Sequence, residues 1–437
     1  MDRDALDPPV RHPHPLRFVH AGQSRPGLSC SCIFGLTFNV TESHVSETAF
    51  IVDAIRSPSG RIKAGGAFTD LHPTELLGQV LQQLIQRNGI DPGQVGDVIT
   101  GCVSQSGEQS ATPGRVAWLA AGFPDHVPAT TIDRKCGSSQ QAIAFGVQGI
   151  VAGAHDIVIA CGVESMSRVP MGSARMDQNP FGPSYAARYG AQISQGAAAE
   201  RVAAKWNLSR DELDRYAARS HRLAAESDAS GRFAREIVAI RSGGGVVERD
   251  ETIRADSTPE KLAQLKPTFA DERLRERFPE ITDWRVTAGN SSQMVDGAAA
   301  VLLVSERMAN RLGLKPRARF VGFDVRGDDP MMMLTAPIAS SRAALAKAGM
   351  TVDQIDAFEI NEAFAPVPLA WLRELQADPE RLNPCGGAIA LGHPLGASGA
   401  RLTTTLLNHL EARGLRYGLQ SMCEAGGMAN TMILERV

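Results

Sequence analysis

The feature that most constrains the fold of this 437-residue chain is an internal repetition. Three segments of the N-terminal part recur in the same order in the C-terminal part. The pairs are 87–103 with 347–364, 136–153 with 392–412, and 155–166 with 419–437. The first pair, RNGIDPGQVGDVITGCV and KAGMTVDQIDAFEINEAF, shares a helix end at glycine, a turn and a strand. Three pairs of similar segments in the same order favour duplication over chance, so we predict two similar α/β halves.

Strand and helix patterns alternate within the first half. A buried strand is a short apolar run, whereas an amphipathic helix repeats its apolar residues every three or four positions. These patterns predict strands at 49–56, 95–103 and 155–161 and helices at 74–89 and 137–153. We expect Gly89 to end the first helix and the serines at 138 and 139 to cap the second. The alternation indicates an α/β fold.

Composition excludes several classes of partner. Lys and Arg total 45 against 48 Asp and Glu, so no basic excess indicates a nucleic-acid or anionic-membrane partner. No apolar run approaches the ~20 residues of a membrane-spanning helix. Seven cysteines are an odd count, without the spacing of a disulfide framework or a zinc site. We therefore expect a reducing, cytoplasmic compartment and no metal.

Two regions interrupt the α/β pattern. Residues 1–45 are rich in proline and histidine near their start, and we predict a poorly ordered extension. Residues 165–290 are polar and include a predicted helix at 208–231 whose start, Ser209-x-x-Glu212, has a capping pattern. This insertion is either a solvated decoration, which composition favours, or a lid over a ligand site. The predicted domains are an extension at 1–45, a first half at 46–164, an insertion at 165–290 and a second half at 291–437.

Two cysteines are candidates for chemistry. Cys136 stands at the start of the predicted helix 137–153, where the helix dipole and free amides favour a thiolate and can lower the pKa into the ~3.5 to 7.5 range. That position predicts a nucleophile. Cys423, in SMCEAGGMAN, occupies the equivalent place in the second half. The alternative for each is an inert, buried thiol, which is the commoner state of a cysteine.

His393 and Asn361 are polar candidates on the second half. His393 lies in GGAIALGHPLGASGAR, a loop whose glycines are costly to order and allow a ligand to come close. This setting predicts a base, and the alternative is a histidine bonded to a carbonyl. Asn361 and Glu362 end an apolar strand, where ligands commonly bind in α/β sheets. A buried amide can hold a water or an oxyanion, whereas helix capping is the alternative for Asn361.

Taken together, these stretches closely resemble the thiolase family. The motifs, in the family's order and spacing, are CGSSQQAI, VTAGNSSQMVDGAAAVLL, NEAFA, GGAIALGHPLGASGAR and CEAGGMAN. The resemblance runs from about residue 49 to residue 437. It implies two βαβαβαββ halves in a five-layer αβαβα sandwich, an inserted loop domain, and homodimers or homotetramers.

The resemblance also implies roles for individual residues. Cys136 is the acyl-accepting nucleophile, His393 the base that activates it and later the thiol of CoA, and Cys423 the acid/base at the substrate's α-carbon. Asn361, through a water, and His393 resemble one oxyanion hole. The backbone amides of Cys136 and Ala425 resemble the second. No metal or redox cofactor is implied, and the partners are CoA thioesters.

Five further positions match the family's CoA-binding residues, namely Arg254, Lys261, Ser292, Ala363 and Phe364. Arg254, in the insertion, is placed to meet the nucleotide end of CoA. Lys261 stands where the family has a serine, and its charge still suits a phosphate. The local positive charges of the insertion would therefore hold an anionic ligand that the net charge of −3 does not attract.

Departures from the family pattern bear on the substrate. Short-chain biosynthetic members carry His-Met-Gly where this chain reads Ser194-Gln195-Gly196, which favours a longer or bulkier acyl group. Ala425 replaces a common glycine, and Glu424 adds a carboxylate beside Cys423. We predict a degradative 3-ketoacyl-CoA thiolase of fatty acid β-oxidation type. The alternatives are an acetoacetyl-CoA-forming acetyltransferase, a ketoacyl-synthase-like enzyme and an inactive CoA-binding scaffold.

Overall fold

The computed structural model describes residues 47–437. In this part of the chain the strands are β1 (Ala49–Arg56), β2 (Gly60–Arg61), β3 (Asp97–Gly101), β4 (Ala129–Ile132), β5 (Ile157–Ser165), β6 (Ile240–Ser242), β7 (Gly245–Val247), β8 (Val295–Ser305), β9 (Ala318–Gly327), β10 (Ala357–Ile360), β11 (Tyr417–Glu424) and β12 (Met428–Arg436). The α-helices are α1 (Pro73–Asn88), α2 (Pro113–Ala120), α3 (Ser138–Val151), α4 (Pro183–Tyr189), α5 (Gln195–Lys205), α6 (Arg210–Ala229), α7 (Pro259–Ala263), α8 (Glu272–Arg277), α9 (Glu306–Leu312), α10 (Ala336–Ala348), α11 (Pro366–Leu375), α12 (Ala388–Leu391) and α13 (Ser398–Arg413). No helix within residues 47–437 combines the length and hydrophobicity needed to cross a membrane.

The strand order shows the predicted duplication directly. The main sheet of the described residues runs β10-β11-β12-β9-β1-β8-β5-β3-β4. Its two ends mirror one another, because β1-β8-β5-β3-β4 repeats the arrangement of β9-β12-β11-β10. The place of a fifth strand in the second half is taken by an isolated bridge from Leu382 to Phe358 on β10. The halves join at one edge, where Phe50 and Ile51 of β1 pair with Arg319 and Ala318 of β9.

The helices separate the two half-sheets into layers. Helices α1 and α2 cover the outer face of the first half-sheet, where buried side chains form one apolar core. Helices α3 and α13 pack against each other between the half-sheets. The apolar core around them includes side chains from both half-sheets. Helices α10 and α11 cover the outer face of the second. The predicted five-layer αβαβα sandwich is confirmed.

Most predicted elements form near their predicted positions. The strand predicted at 49–56 is β1, and the helix predicted at 74–89 is α1, which ends at Gly89 in a left-handed conformation. Ser209 and Glu212 form the predicted capping box at the start of α6. The serine cap on α3 was wrong, because Gly137 is the N-cap residue and makes no side-chain cap. Ser139 Oγ instead accepts a hydrogen bond from Ala400 N on α13, over 2.9 Å.

Three of the predicted domains can be compared with the described residues. The extension at 1–45 lies outside the described residues. Helices α4 to α8 follow β5 and precede β8, within the predicted insertion. Strand β8, predicted to belong to the second half, lies between β1 and β5 in the sheet of the first half. A chain that leaves the first half after β5 thus returns to complete it before the second half begins.

Candidate active site

A tight turn presents Cys136 at the start of α3. Lys135 adopts a left-handed backbone conformation with φ +50°, which is uncommon for a residue with a side chain. Asp133 stabilises it by accepting hydrogen bonds from the Lys135 backbone N over 2.7 Å and from Nζ over 2.6 Å. Strained turns of this kind are concentrated at functional sites. The thiol itself is 3% exposed.

The thiol of Cys136 is less acidic than the sequence predicted. Burial, followed by the nearby carboxyl of Glu424, raises its pKa to about 12, whereas a lowered pKa was expected from the helix terminus. The prediction was wrong because it counted the helix dipole and left out the desolvation of a charged sulfur. At neutral pH Cys136 is therefore a protonated thiol in the free enzyme, and a base would have to remove its proton before the sulfur could act as a nucleophile.

His393 is held as a neutral imidazole with an acceptor nitrogen. Its Nδ1 lies 2.6 Å from Ser398 Oγ, and that hydroxyl donates to Pro394 O over 2.9 Å. Because the hydroxyl proton goes to Pro394, the imidazole must donate from Nδ1, which leaves Nε2 as the acceptor. Burial, with a smaller contribution from Arg401, lowers the His393 pKa to about 3. Asn361 Nδ2 lies 3.4 Å from Nε2.

The glycines around His393 allow close packing between elements. Gly392 has φ +83°, and a Cβ there would lie 2.5 Å from the Val295 side chain. A Cβ on Gly399, at the start of α13, would lie 2.2 Å from Gln140 N on α3. The glycine-rich loop is therefore explained by a turn and by the contact of the two central helices. Close approach of a ligand stays a prediction.

Glu164 joins the loop that carries His393 to the first half of the chain. Its buried carboxyl group accepts hydrogen bonds from Gly396 N at 2.8 Å, and from Val103 N and Ser104 N at 3.0 Å. It thereby joins the loop after β3, the end of β5 and the loop that carries His393. Sequence analysis missed Glu164, although a carboxylate within the apolar run of HDIVIACGVES was the signal that could have found it.

Asn361 and Glu362 separate into two roles. Asn361 is buried beside His393, and its Oδ1 has no hydrogen-bond partner among residues 47–437. Glu362 accepts hydrogen bonds from Tyr216 Oη at 2.9 Å, Ser220 Oγ at 2.7 Å and Ile389 N at 3.0 Å. The Glu362 carboxyl thus joins α6 of the insertion to the second half. Of the two residues that follow β10, Asn361 is therefore the one whose Oδ1 has no hydrogen-bond partner within residues 47–437.

The second cysteine shares a site with the first. Cys423 on β11 is 1% exposed, and burial, then Cys136, then Glu424 raise its pKa well above the usual range. Cys136 also belongs to an apolar cluster with Met422, beside Cys423, and Leu395, beside the His393 turn. The structure therefore brings the predicted sulfur and imidazole residues into one region. Their catalytic roles stay predictions.

The predicted CoA-binding residues fall into two groups. Ser292 N donates to Ala363 O over 3.0 Å, and the Phe364 ring meets Phe269 edge-on at 6.0 Å. These three positions therefore lie together near Asn361. Arg254 and Lys261 are exposed on the insertion, where Arg254 Nη2 donates to Gln293 Oε1 over 3.1 Å. Lys261 Nζ donates to Asp256 over 2.8 Å, so an anion there competes with a carboxylate.

The chain belongs to the thiolase family. The Thiolase, N-terminal domain family matches residues 49–307, and the Thiolase, C-terminal domain family matches residues 314–436. The first match includes β8, in agreement with its pairing to β1 and β5. The chain is therefore an acyltransferase enzyme, and the family resemblance found in the sequence is confirmed.

Named relatives cover nearly the same length. A steroid 3-ketoacyl-CoA thiolase from Mycobacterium tuberculosis is 47% identical over 90% of this chain and 95% of its own. A β-ketoadipyl-CoA thiolase from Acinetobacter baylyi is 42% identical over 89% of this chain and 99% of its own. The crystal structure of an acetyl-CoA acetyltransferase from Bacillus anthracis superposes with a TM-score of 0.80 at 38% identity, covering 90% of this chain and 100% of that chain.

Replacing Ser398 with alanine is expected to lower kcat while the protein still folds. The substitution removes the acceptor that orients the His393 imidazole, and a hydrogen bond to a group that becomes charged is worth about 1.5–3 kcal/mol, or about ten- to hundredfold in kcat. Thr404→Ala on the same helix is the matched control, because the one partner of Thr404 Oγ1 among residues 47–437 is Ala400 O of its own helix. Steady-state kinetics with equal losses in both variants would contradict the orienting role.

Proposed function

We propose that this enzyme cleaves 3-ketoacyl-CoA with free CoA, giving acetyl-CoA and a shortened acyl-CoA, through a thioester on Cys136. The observation that supports this most is the grouping of one neutral base with two un-ionised thiols. His393 has an unprotonated Nε2, and Cys136 lies near enough to Cys423 to contribute to the raised pKa of the Cys423 thiol. A base, a soft nucleophile and a separate proton donor are what this carbon–carbon cleavage requires.

The first half-reaction forms the acyl-enzyme. His393 Nε2 takes the proton of Cys136, and the sulfur attacks the 3-keto carbon of the substrate. When the tetrahedral intermediate collapses, the C2–C3 bond breaks and its electron pair leaves with the acetyl-CoA enolate. The Cys423 thiol protonates C2. The proton held by His393 then passes to the Cys423 sulfur, which restores both groups.

The second half-reaction releases the acyl group. His393 Nε2 takes the proton of the CoA thiol, and the CoA sulfur attacks the thioester on Cys136. Cys136 leaves as a thiolate and recovers its proton from His393. Asn361, through a water, and the amides of Cys136 and Ala425 would donate to the oxyanions formed in these steps. No step requires a metal or a redox cofactor.

The raised pKa of Cys136 and the lowered pKa of His393 mean that both side chains are uncharged in the free enzyme at neutral pH. With the pKa of Cys136 raised to about 12 and that of His393 lowered to about 3, transfer of the proton between them is unfavourable in the free enzyme. The sulfur therefore becomes nucleophilic only as the oxyanion forms and is stabilised. Since His393 stays unprotonated above pH 5, its own titration is not expected to produce an acidic limb in the pH–rate profile between pH 5 and 8.

We propose that the preferred acyl group is medium-chain or cyclic rather than acetoacetyl. Ser194, where short-chain members have histidine, caps α5 by accepting a hydrogen bond from Ala197 N. Gly196 packs on the Phe269 ring, where a Cβ would lie only 2.3 Å away, and that ring contacts Phe364. The changed residues, Ser194 and Gln195, therefore directly precede Gly196, whose neighbour Phe269 contacts Phe364 at the predicted CoA-binding position. Relatives named for steroid and β-ketoadipyl substrates support this proposal.

A substrate panel tests the acyl preference. We expect kcat/KM to be at least about tenfold higher for medium-chain and cyclic 3-ketoacyl-CoAs than for acetoacetyl-CoA, with acetyl-CoA identified as the common product. The matched variant restores the short-chain pattern through Ser194→His and Gln195→Met together, and it should move the preference towards acetoacetyl-CoA. A wild-type enzyme that prefers acetoacetyl-CoA would instead support the acetyltransferase reading, which the Bacillus anthracis structure also represents.

We further propose a cytoplasmic homo-oligomer. Strand β4 ends the main sheet of the described residues, and the helices that contact it expose Leu119 on α2 and Phe145 on α3. An unpaired edge flanked by apolar side chains suits pairing with a second copy. Size-exclusion chromatography with light scattering is expected to give a mass of two or four chains. A monomeric mass at micromolar concentration would rule out this assembly.

A further inference from the structure

Glu424 is a buried carboxyl group to which the reaction above gives no role. It is the last residue of β11, directly after Cys423, and its side chain is fully buried. Neither of its carboxyl oxygens has a hydrogen-bond partner within residues 47–437. Burial without hydrogen bonds is costly for a carboxyl group, and such groups are concentrated at functional sites.

The carboxyl group lies against the residue that follows the nucleophile. A Cβ built on Gly137 would lie 2.0 Å from Glu424 Oε1 and 2.9 Å from Asn430 Oδ1. Asn430 Nδ2 on β12 also donates to Gly137 O over 3.1 Å, which holds this peptide in place. A side chain at 137 would therefore displace the carboxyl group. Glycine at this position lets Glu424 contact the backbone that carries Cys136.

Charged and titratable groups surround Glu424 in the turn before α3 and on its own strand. Burial raises the Glu424 pKa to about 8, Arg134 opposes this rise and Asp133 adds to it. Glu424 in turn affects Cys136: after burial, the Glu424 carboxyl group is the largest cause of the raised Cys136 pKa. It also contributes to the raised pKa of Cys423. One carboxyl group therefore acts on both sulfurs.

We propose that Glu424 is a positioning residue that acts through its charge: once its carboxyl group ionises, at alkaline pH, it opposes the loss of a proton from the sulfurs of Cys136 and Cys423 in the free enzyme. The proposal rests on the proposed role of Cys136 as nucleophile. Glu164, which also raises the Cys136 pKa, and Lys135, which lowers it, have smaller effects than Glu424. A protonated sulfur resists alkylation and oxidation, so the ionised carboxyl group makes the sulfur of Cys136 less reactive as the pH rises.

The test measures alkylation of Cys136 by iodoacetamide between pH 7 and 10, with the modified peptide located by mass spectrometry. Glu424→Gln removes the charge and keeps the shape. At pH 9 to 10, where the wild-type carboxyl group is ionised because its pKa is about 8, the variant is expected to be alkylated about tenfold faster than the wild type. Near pH 7, where the wild-type carboxyl group is mostly protonated, the two rates are expected to converge. Glu424→Asp keeps the charge and is expected to react at the wild-type rate. Alkylation needs no acyl-CoA, so the outcome is independent of whether the proposed thiolysis occurs.

A purely structural role makes the opposite prediction. In that case Gln would react like the wild type at every pH from 7 to 10, and the shorter Asp would change the rate, which would overturn the proposal. Glu424→Met is a second neutral variant of similar length, because a buried Gln amide also lacks partners. The neutral variant whose unfolding temperature is nearest to that of the wild type decides the test, and an unchanged alkylation rate in it at pH 9 to 10 refutes the proposal.

The matched control is Glu359→Gln. Glu359 is also buried, has a pKa raised by burial to about 8, and has an Oε1 without a partner among residues 47–437. It is not among the groups with the largest effects on the Cys136 pKa. Its substitution is expected to leave alkylation at Cys136 unchanged. Equal acceleration in the Glu359 and Glu424 variants would mean that loss of any buried carboxylate suffices, which would contradict a specific role for Glu424.

Discussion

Cys136→Ser is expected to abolish the acyl-enzyme and to lower kcat by about a thousandfold or more. A serine hydroxyl in the same buried turn is a far weaker acid than the thiol, and His393, with its pKa lowered to about 3, is too weak a base to ionise it. Intact-protein mass spectrometry after mixing with a 3-ketoacyl-CoA, without free CoA, is the measurement. The wild type should gain the mass of the acyl group, and the variant should gain nothing.

Cys385→Ser is the matched control for this experiment. Cys385 is another buried thiol next to an imidazole, since its Sγ lies 3.5 Å from His409 Nδ1. It packs in a different apolar cluster from Cys136. Its variant should still form the acyl-enzyme. An acylated Cys136→Ser protein, or a loss of acylation confined to Cys385→Ser, would place the nucleophile elsewhere.

Cys423→Ala is expected to slow proton exchange at C2 of acetyl-CoA by about a hundredfold or more, since general acid–base groups typically contribute at least that factor. The thiol is the proposed proton donor and acceptor at this carbon, and alanine offers none. Exchange is followed by NMR in deuterated water. Acylation of Cys136 by acetyl-CoA should survive, because it forms and breaks no bond at C2.

The pair of readouts separates a chemical role from damage to the fold. A Cys423→Ala protein that loses exchange and acylation together has lost the site rather than the acid. Cys161→Ala is the matched control, because Cys161 is equally buried on β5 and its Sγ contacts Thr100 Oγ1 at 3.2 Å. Undiminished exchange in the Cys423 variant would remove the proposed role at the α-carbon.

The order of elements was predictable because it depends on local pattern. Apolar periodicity and glycine caps located β1 and α1 within one residue of their bounds. The place of β8 was not predictable from the same signals, because pairing between β8 and β1 joins residues about 250 positions apart. The serine cap on α3 failed for a related reason, since Ser139 bonds a partner on α13 that only tertiary packing supplies.

The site was predicted by residue type and missed in its electrostatics. Cys136, His393, Asn361 and Cys423 stood out by their motifs, and the structure places them in one region. The direction of the Cys136 pKa was wrong, because the sequence does not reveal how deeply a thiol is buried. The carboxyl of Glu164 and the hydroxyl of Ser398 were missed as well. Their importance depends on hydrogen bonds that cross between segments.

The contact of α3 with α13 has a consequence for the history of the chain. One central helix begins just after Cys136, the proposed nucleophile, and the other shortly after His393, the proposed base, so each half contributes one member of the proposed reactive pair. An ancestral homodimer of identical repeats would have carried the same residue at both helix starts. The proposed pairing of a sulfur with an imidazole therefore requires the two halves to differ in sequence at these matching positions.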